Sequence, residues 1–450
     1  MVKKKFYTIN MVAAVTLFSA ACTTTKQQDT SEVQTNVNTP KNIIMVISDG
    51  MGPAYTTAYR LYKDEPNTPM VEPTALDPFL VGTSRTYPAS VSGYITDSAA
   101  SATALSAGIK TYNGAIGLDV DKKPLESVLQ RAKKVGKKTG VAVTSQIVHA
   151  TPAAYIVHNE SRNNYNEIAD SFLDDRINNK NVADVMLGGG WSYFIRDDRN
   201  LVDEFKALGY QYADSYTDLL ALPKGKPTLG LFADKGLSKA LDDTNPYRLS
   251  VLTESAISQL ENVNGYFLLV EASQVDWAGH ANDIASAMGE MEDLEQTIKL
   301  LKNYVDMHPD TLVVLTADHS TGGLTIGADG DYRWSPEFIQ NMKASVTVMS
   351  EKITDEEDMA LYIEDMFGFA LNGDEKNLIS GMSVDMEPAE RESVLKSILD
   401  KRTNTGWTTS GHTGVDVEVY AFGAGSQAFA GNLNNTDIAK QIFEFLGDNE

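Results

Sequence analysis

Short apolar runs alternate with amphipathic stretches along most of the chain. Six runs have the length and continuous apolar character of buried strands: residues 42–48, 139–144, 182–187, 265–270, 311–316 and 417–422. Helical spacing predicts one helix from Pro124 to Gly136 and a longer one from Ile284 to Val305. This alternation predicts an α/β fold with three αβα layers around a mostly parallel central sheet, in which ligands bind at the carboxyl ends of the strands.

The first 40 residues follow a different pattern. Three lysines precede an apolar run and small residues before Cys22, which is typical of a secretory leader over residues 1–21. Cys22, the only cysteine, stands where bacterial lipoproteins carry the acylated cysteine, although Ser19 replaces the usual leucine and leaves simple secretion as the alternative. Residues 22–40 are rich in Thr, Gln and Asn, which predicts a flexible tether. We therefore expect a periplasmic or cell-surface protein that is lipid-anchored at Cys22.

The charge of the chain restricts its partners. The formal net charge is −23, so the protein should repel nucleic acid and anionic membrane surfaces, and we expect no nucleic-acid binding. If the substrate is an anion, positive charge must be supplied locally, and bound metal ions are one source of it.

Polar residues cluster where the predicted strands end. The acids and histidines at or near these ends are Asp49, His149, Glu271, Asp318, His319 and His412. One acid in such a position is most often a helix cap or a turn residue, but the set differs because it includes imidazoles. Asp276 and His280 are four residues apart, so one helical turn would direct both at one ion. Zinc uses such nitrogen and oxygen ligands, and magnesium would use the oxygen-rich remainder.

The segment from Tyr94 to Gly108 contains the candidate reaction centre. Ser98 follows an acid, Asp97, and precedes small residues, a pattern that predicts the start of a helix. Unpaired backbone N–H groups and the positive end of the helix dipole would then favour an anion near the serine hydroxyl. The same pattern is also typical of an ordinary Asp or Ser helix cap, and the segment alone leaves both interpretations open.

Several separated motifs resemble the alkaline phosphatase family. In chain order they are ITDSAASAT from residue 95, KTYNGAIG from residue 110, EASQVDWAGH from residue 271, TADHSTGG from residue 316 and SGHTG from residue 410. The resemblance covers about residues 41–325 and 405–425. It implies a catalytic domain over residues 41–450 that hydrolyses small phosphate monoesters through a phosphoserine intermediate, with two Zn²⁺ and one Mg²⁺ per subunit of a homodimer.

The resemblance also implies a role for each matching residue. Ser98 matches the phosphorylated nucleophile, Arg162 the guanidinium that clamps two phosphate oxygens, and Asp97 the acid that positions this arginine. The matching metal ligands are Asp276, His280 and His412 for the first zinc, Asp49, Asp318 and His319 for the second, and Asp49, Thr151 and Glu271 for magnesium, with His149 beside them.

Two positions depart from the best-known bacterial pattern of the family. His149 stands where an aspartate is usual, which leaves the identity of the third metal open. Trp277 stands where a lysine is usual, which removes a positive charge near the phosphate. We therefore expect weaker binding of the phosphate product and its faster release.

The segment between His319 and His412 spans 92 residues, more than a connection between neighbouring strands needs. Acidic residues after Thr354 and around Pro388 predict two helix starts within it. Five methionines are expected to form the core of a small helical subdomain: Met349, Met359, Met366, Met382 and Met386. We expect an inserted crown at about residues 326–405, acting as a lid or a dimer interface.

Two other functions are compatible with parts of the pattern. One is a phosphodiesterase or sulfatase of the same superfamily. Ser98 and Arg162 argue against it, because they suit a terminal phosphate. The other is a surface lipoprotein that binds phosphate without catalysis, and the complete ligand sets argue against it because buried unpaired carboxylates are costly.

His158 and His308 are expected to be structural. The three glycines at 188–190 predict a turn after the third strand instead of a phosphate loop, since no Lys-Ser or Lys-Thr follows them.

Overall fold

The framework of the protein is one large sheet, seen in a computed structural model that describes residues 39–353 and 359–447. The strands are β1 Asn42–Ser48, β2 Leu80–Arg85, β3 Lys138–Gln146, β4 Arg176–Ile177, β5 Lys180–Asn181, β6 Val185–Gly189, β7 Gln211–Ala213, β8 Thr228–Leu231, β9 Tyr266–Ala272, β10 Thr311–Thr316, β11 Ser320–Thr321, β12 Thr325–Ile326, β13 Thr405–Gly406, β14 His412–Thr413, β15 Val417–Gly423 and β16 Gly431–Asn434. The helices are α1 Pro53–Tyr62, α2 Ser98–Ala107, α3 Val128–Lys134, α4 Ala150–Ile156, α5 Tyr165–Asp174, α6 Trp191–Phe194, α7 Leu201–Ala207, α8 Tyr216–Ala221, α9 Arg248–Leu260, α10 Gln274–Ala281, α11 Ile284–Met307, α12 Val346–Lys352, α13 Met359–Phe367, α14 Gly373–Ser380, α15 Pro388–Thr403 and α16 Asn435–Leu446.

Ten of the strands form the central sheet, in the order β16-β2-β15-β10-β1-β9-β3-β6-β8-β7. All neighbouring pairs are parallel except the two that involve β15, which runs antiparallel to both β10 and β2. This arrangement confirms the predicted α/β class with a mostly parallel sheet. Parallel strands are covered by helices on both faces, which is why their sequences are continuously apolar.

Strand β1 shows how the three layers are held together. Its alternate residues Ile44 and Val46 join one buried apolar cluster, to which α1, α9 and α11 contribute. Ile43, Met45 and Ile47 join a second cluster with α2, α3 and α16. Because successive side chains of a strand point to opposite faces, one short run of the sequence contributes to both cores.

Five of the six predicted strands match observed strands to within two residues at each end. The third was expected to start at Val182 but begins at Val185. The side chain of Asp184 accepts the backbone N–H of Thr139 at 2.9 Å, so regular pairing with β3 starts only after it. Strands β2, β7, β8 and β16 were not predicted. They are short or partly exposed and lack a continuous apolar run.

One predicted helix boundary was wrong. The helix that was expected to open at Pro124 begins at Val128, because Ser127 and Gln130 form a reciprocal capping box there. Pro124 instead lies in a β-bridge with Leu118. The long helix matches its prediction at the start, where Asp283 caps α11 by accepting the N–H of Ser286.

The insertion contains helices α12 to α15, and its two ends are joined by the pairing of β12 with β13. Helix α15 begins at Pro388 as predicted, whereas Thr354 lies outside the described residues. The buried methionines Met349, Met359 and Met382 join the apolar cluster of α1, α9 and α11. They are therefore continuous with the main core and do not form a separate one. The role of the insertion as a lid or interface stays a prediction.

The predicted leader, Cys22 and nearly all of the tether lie outside the described residues. Within residues 39–353 and 359–447, we find no helix with both the length and the apolar character that crossing a membrane requires.

Candidate active site

Four adjacent strands bring most of the candidate ligands to one edge of the sheet. In the order β10-β1-β9-β3, the carboxyl ends of parallel strands lie side by side. Asp318 and His319 follow β10, Asp49 follows β1, and His149 caps the helix after β3. Glu271, which was expected to follow its strand, is the next-to-last residue of β9. Residues far apart in sequence therefore meet because their strands are neighbours.

A first ligand set is formed by α10 and β14. His280 Nε2 lies 3.3 Å from Asp276 Oδ2, as expected for residues one helical turn apart. The same nitrogen lies 3.1 Å from Nε2 of His412. The ring of His319 stacks on that of His412 with centroids 3.5 Å apart, which places this first set directly beside the next one.

The hydrogen bonds of His280 and His412 suit a bound cation. His280 Nδ1–H donates to the carbonyl of Ser410 at 2.6 Å, and His412 Nδ1–H donates to that of Thr96 at 2.9 Å. In the neutral rings each Nε2 therefore carries a lone pair, and two lone pairs cannot hydrogen-bond to each other. A cation shared with the Asp276 carboxylate would satisfy both nitrogens, and backbone carbonyls commonly orient metal-binding histidines in this way.

A second ligand set lies next to the serine. His319 Nε2 is 3.2 Å from Asp318 Oδ2, 3.4 Å from Asp49 Oδ1 and 3.2 Å from Ser98 Oγ. Asp318 Oδ1 accepts the backbone N–H groups of Gly50 and His319, but its buried Oδ2 accepts no hydrogen bond from the described residues. Within the same part of the chain, neither carboxylate oxygen of Asp49 has a hydrogen-bond partner, although both are buried. Such unsatisfied buried oxygens fit a metal site.

A third set is rich in oxygen. Ligand atoms of Asp49, His149 and Glu271 lie within 4.8 Å of one another, and all three residues are buried. Three further atoms are buried and have no hydrogen-bond partner among the described residues: Thr151 Oγ1, Glu271 Oε1 and His149 Nδ1. This donor chemistry fits a hard cation that prefers oxygen.

Burial sets the protonation of these groups in the metal-free fold. It raises the pKa of Glu271 to about 8 and, with the charge of Asp276 adding to it, that of Asp318 to about 7. Burial also raises the pKa of Asp49 well above its ordinary value. Burial and the neighbouring Arg162 lower the pKa of His149 to about 3. Metal ligands must be unprotonated, so bound cations would reverse the shifts of the carboxyl groups.

Ser98 begins helix α2, so the predicted helix start is confirmed. Asp97 is the helix cap, since its Oδ1 accepts the N–H of Ala100 at 2.9 Å. Its Oδ2 accepts from Arg162 Nη1 at 3.1 Å, and Arg162 Nη2 donates to His149 Nε2 at 3.2 Å. The cap therefore also holds a guanidinium beside the N-terminal end of helix α2.

Residues that were expected to be structural lie outside these ligand sets. His158 Nε2 bonds to the carbonyl of Leu125, and the ring of His308 stacks on Tyr304. The glycine run is mostly strand, since Gly188 and Gly189 are the last two residues of β6. A Cβ atom on Gly189 would collide with the backbone of Lys235, so glycine is needed there. Only Gly190, with φ of 105°, has the conformation of the predicted turn.

Asn113 holds the segment before Ser98, a contact that the sequence pattern did not predict. Its Nδ2 donates to the carbonyl of Ile95 at 2.9 Å, and its Oδ1 accepts the N–H of Asp97 at 3.1 Å. Asn113 thus binds the backbone on both sides of Thr96, in the segment that leads into Ser98. Its position before a glycine in a loop was the available signal, since asparagine side chains there often bond to backbone groups.

Clusters of potential metal ligands at the carboxyl edge of an α/β sheet, beside a serine at a helix start and an arginine paired with an aspartate, suit a metal-dependent hydrolase. The family model for alkaline phosphatase matches residues 40–447. Alkaline phosphatase 3 of Bacillus subtilis (strain 168) is 46% identical, over 98% of this chain and 97% of that protein. The chain belongs to the alkaline phosphatase family, and it is a phosphoric monoester hydrolase.

Solved structures agree with this assignment. The crystal structure of a cold-active alkaline phosphatase from the psychrophile Shewanella sp. has a TM-score of 0.85 and 45% identity, covering 90% of this chain and all of that one. A TAB5 alkaline phosphatase in which a histidine is replaced by glutamate has a TM-score of 0.67 and 26% identity, covering 92% of this chain and 99% of that one. That variant has Mg bound in its M3 site.

We predict that the metal-free protein loses thermal stability as pH rises from roughly 6.5 to 9. The carboxyl groups of Asp318 and Glu271 keep protons up to pH values of about 7 and 8 in the fold, but they ionise near pH 4 in an unfolded chain. The folded state therefore binds more protons in this window, and its stability falls as they leave. Between about pH 4 and 6.5, the lowered pKa of His149 contributes in the opposite sense and offsets the loss from the carboxyl groups.

Calorimetry of chelated and metal-loaded protein across this pH range tests the prediction. The midpoint of the loaded protein should change less, because its ligands are already ionised. A midpoint of the metal-free protein that stays constant or rises with pH would contradict the prediction.

Proposed function

We propose that this enzyme transfers the phosphoryl group of a monoester to Ser98 and then hydrolyses the phosphoserine. The observation that supports this most directly is the position of Ser98 Oγ, which starts helix α2 and lies 3.2 Å from His319 Nε2. The nucleophile therefore adjoins the second ligand set. Backbone N–H groups of the first turn of α2 face the same region and favour the phosphate charge.

The reaction has two balanced halves. In the first, Ser98 Oγ attacks phosphorus, the bond from phosphorus to the ester oxygen breaks, and the alcohol leaves with a proton. In the second, a water oxygen attacks phosphorus, the bond to Oγ breaks, and inorganic phosphate and the serine hydroxyl are formed. Arg162, held through Nη1 by Asp97, is the group we propose to clamp two phosphate oxygens in both halves.

We propose two Zn²⁺ and one Mg²⁺ per subunit. The nitrogen-containing sets suit zinc, and the oxygen-rich set suits magnesium. The proposed ligands are Asp276, His280 and His412; Asp49, Asp318 and His319; and Asp49, Thr151 and Glu271. When bound, such ions lower the pKa of a hydroxyl or water and stabilise the charge on the entering and leaving oxygens.

The third ion is the one whose identity depends on His149. Its Nε2 lies 3.2 Å from Arg162 Nη2, and its buried Nδ1 can bind an ion of the oxygen-rich set only in the tautomer that carries the proton on Nε2, which gives up the hydrogen bond from Arg162. The TAB5 variant with a carboxylate in place of a histidine has Mg in its M3 site, which supports magnesium where oxygen donors predominate. We propose that His149 weakens the preference of this site for magnesium over zinc.

We also propose that the enzyme acts as a homodimer in the periplasm or at the cell surface, lipid-anchored through Cys22. The homodimer rests on the family resemblance alone, whereas the location and the anchor rest on the leader pattern of residues 1–21, the position of Cys22 and the tether of residues 22–40. We expect the mature N terminus to be an acylated Cys22 when it is examined by mass spectrometry. An unmodified N terminus would favour simple secretion.

Substitution of the nucleophile tests the proposed reaction. We expect Ser98→Ala to lower kcat/KM for a chromogenic phosphate monoester by at least about a thousandfold, because the first half reaction loses its acceptor atom. Zinc content, measured by elemental analysis, should be retained. Ser106→Ala is the matched control, since this buried serine of the same helix bonds only to the carbonyls of Thr103 and Ala154.

The assignment fails if wild-type enzyme purified in zinc-containing buffer holds no zinc, or if Ser98→Ala keeps full monoesterase turnover. Faster hydrolysis of a matched diester than of the monoester would instead favour the phosphodiesterase alternative.

Trp277 is expected to influence product release. Its ring lies edge-on to the imidazole of His149 with centroids 5.9 Å apart, in α10 next to Asp276. We predict that Trp277→Lys lowers the inhibition constant of inorganic phosphate roughly tenfold, because a charged donor would add a charge-assisted hydrogen bond. Trp277→Met removes the ring without adding charge and should leave that constant nearly unchanged. Equal inhibition constants in both variants would count against the prediction.

A further inference from the structure

Thr321 lies between the first two ligand sets. This buried residue of β11 has its Oγ1 2.5 Å from Asp276 Oδ1 and 3.3 Å from His319 Nδ1. Its backbone is held as well, because its carbonyl accepts from the Tyr55 hydroxyl at 2.8 Å and its N–H donates to the carbonyl of Gly50 at 3.1 Å. One hydroxyl therefore contacts a ligand from each set.

The direction of these hydrogen bonds follows from counting protons. A threonine hydroxyl has one hydrogen, and a metal-binding carboxylate can only accept, so Thr321 donates to Asp276. Toward His319 the same oxygen can then only accept, which requires the proton of that imidazole to be on Nδ1. The lone pair of His319 is therefore on Nε2, the atom that faces Asp49, Asp318 and Ser98.

Close packing keeps Thr321 in this position. A Cβ atom on Gly50 would come within 2.8 Å of Thr321 Oγ1, and one on Gly279 within 3.0 Å of Thr321 Cβ. Gly50 also has φ of 74°, a conformation that other residues rarely adopt. These two glycines let the threonine approach Asp276 and His319 closely.

We propose that Thr321 is a positioning residue that couples the two zinc sites: its single hydroxyl orients Asp276 of the first set and sets the tautomer of His319 in the second. The proposal rests on the zinc assignment above and extends it. Because one oxygen contacts a ligand of each site, removal of the hydroxyl should weaken the binding of both zinc ions and not of only one.

Two nearly isosteric variants test the proposal in the holoenzyme. In competition with a zinc chelator, we expect Thr321→Val to raise the dissociation constants of both zinc ions by about 10- to 100-fold. Thr321→Ser keeps the hydroxyl and should stay within about threefold of wild type. Thr321→Ala also lacks the hydroxyl and adds no apolar contact. If the valine variant folds poorly, the alanine variant replaces it, and we expect the same rise in both zinc dissociation constants.

Thr297→Val is the matched control for losing a buried hydroxyl. Thr297 Oγ1 donates at 2.9 Å to the carbonyl of Asp293 within α11, and zinc affinity should not change in this variant. The proposal is overturned if the valine and alanine variants bind both zinc ions as tightly as Thr321→Ser, or if only one ion is weakened. Absence of zinc from the wild type would overturn the zinc assignment itself, which the other outcomes leave intact.

Discussion

The structure depends on the need to neutralise negative charge that is buried at one edge of the sheet. Asp49, Glu271, Asp276 and Asp318 lie together there, and each is almost completely buried. Ionised carboxylates in such a place are stable only with nearby positive charge. The imidazoles that face them offer lone pairs, so cations bound there would complete the cluster. The same cations would let a protein of net charge −23 attract a phosphate dianion.

The sheet meets this need through its strand order. The neighbours β10, β1 and β9 place Asp318, Asp49 and Glu271 in a row, with Ile47 of β1 in register with Glu271. Helix α2 packs against α4 and α16 and contributes the serine. The hydrogen bonds of Asn113 hold the backbone that leads into Ser98, and those of Thr321 reach Asp276 and His319. Strand ends, loops and helix starts thus contribute the candidate site residues, and the buried sheet fixes their positions.

Prediction from sequence succeeded where the signal was local. Continuous apolar runs identified the inner strands, because strands covered on both faces have no polar side to interrupt the pattern. The four-residue spacing of Asp276 and His280 correctly indicated that they share a helical face. Prediction from sequence failed at Pro124, because the capping box of Ser127 and Gln130 determined the helix start. It also failed at Val182, because the side chain of Asp184 accepts a backbone N–H that strand pairing would otherwise use.

The sequence by itself determined the fold class, the family and the chemical types of the candidate ligands, since these depend on local patterns and ordered motifs. Only the tertiary structure decided which residues touch. Strand order cannot be deduced from apolar runs. The hydrogen bond from Thr321 to Asp276, from which the tautomer of His319 follows, joins residues 45 positions apart and is known only from their distance. Long-range contacts of this kind arise from packing, which no single segment of the chain specifies.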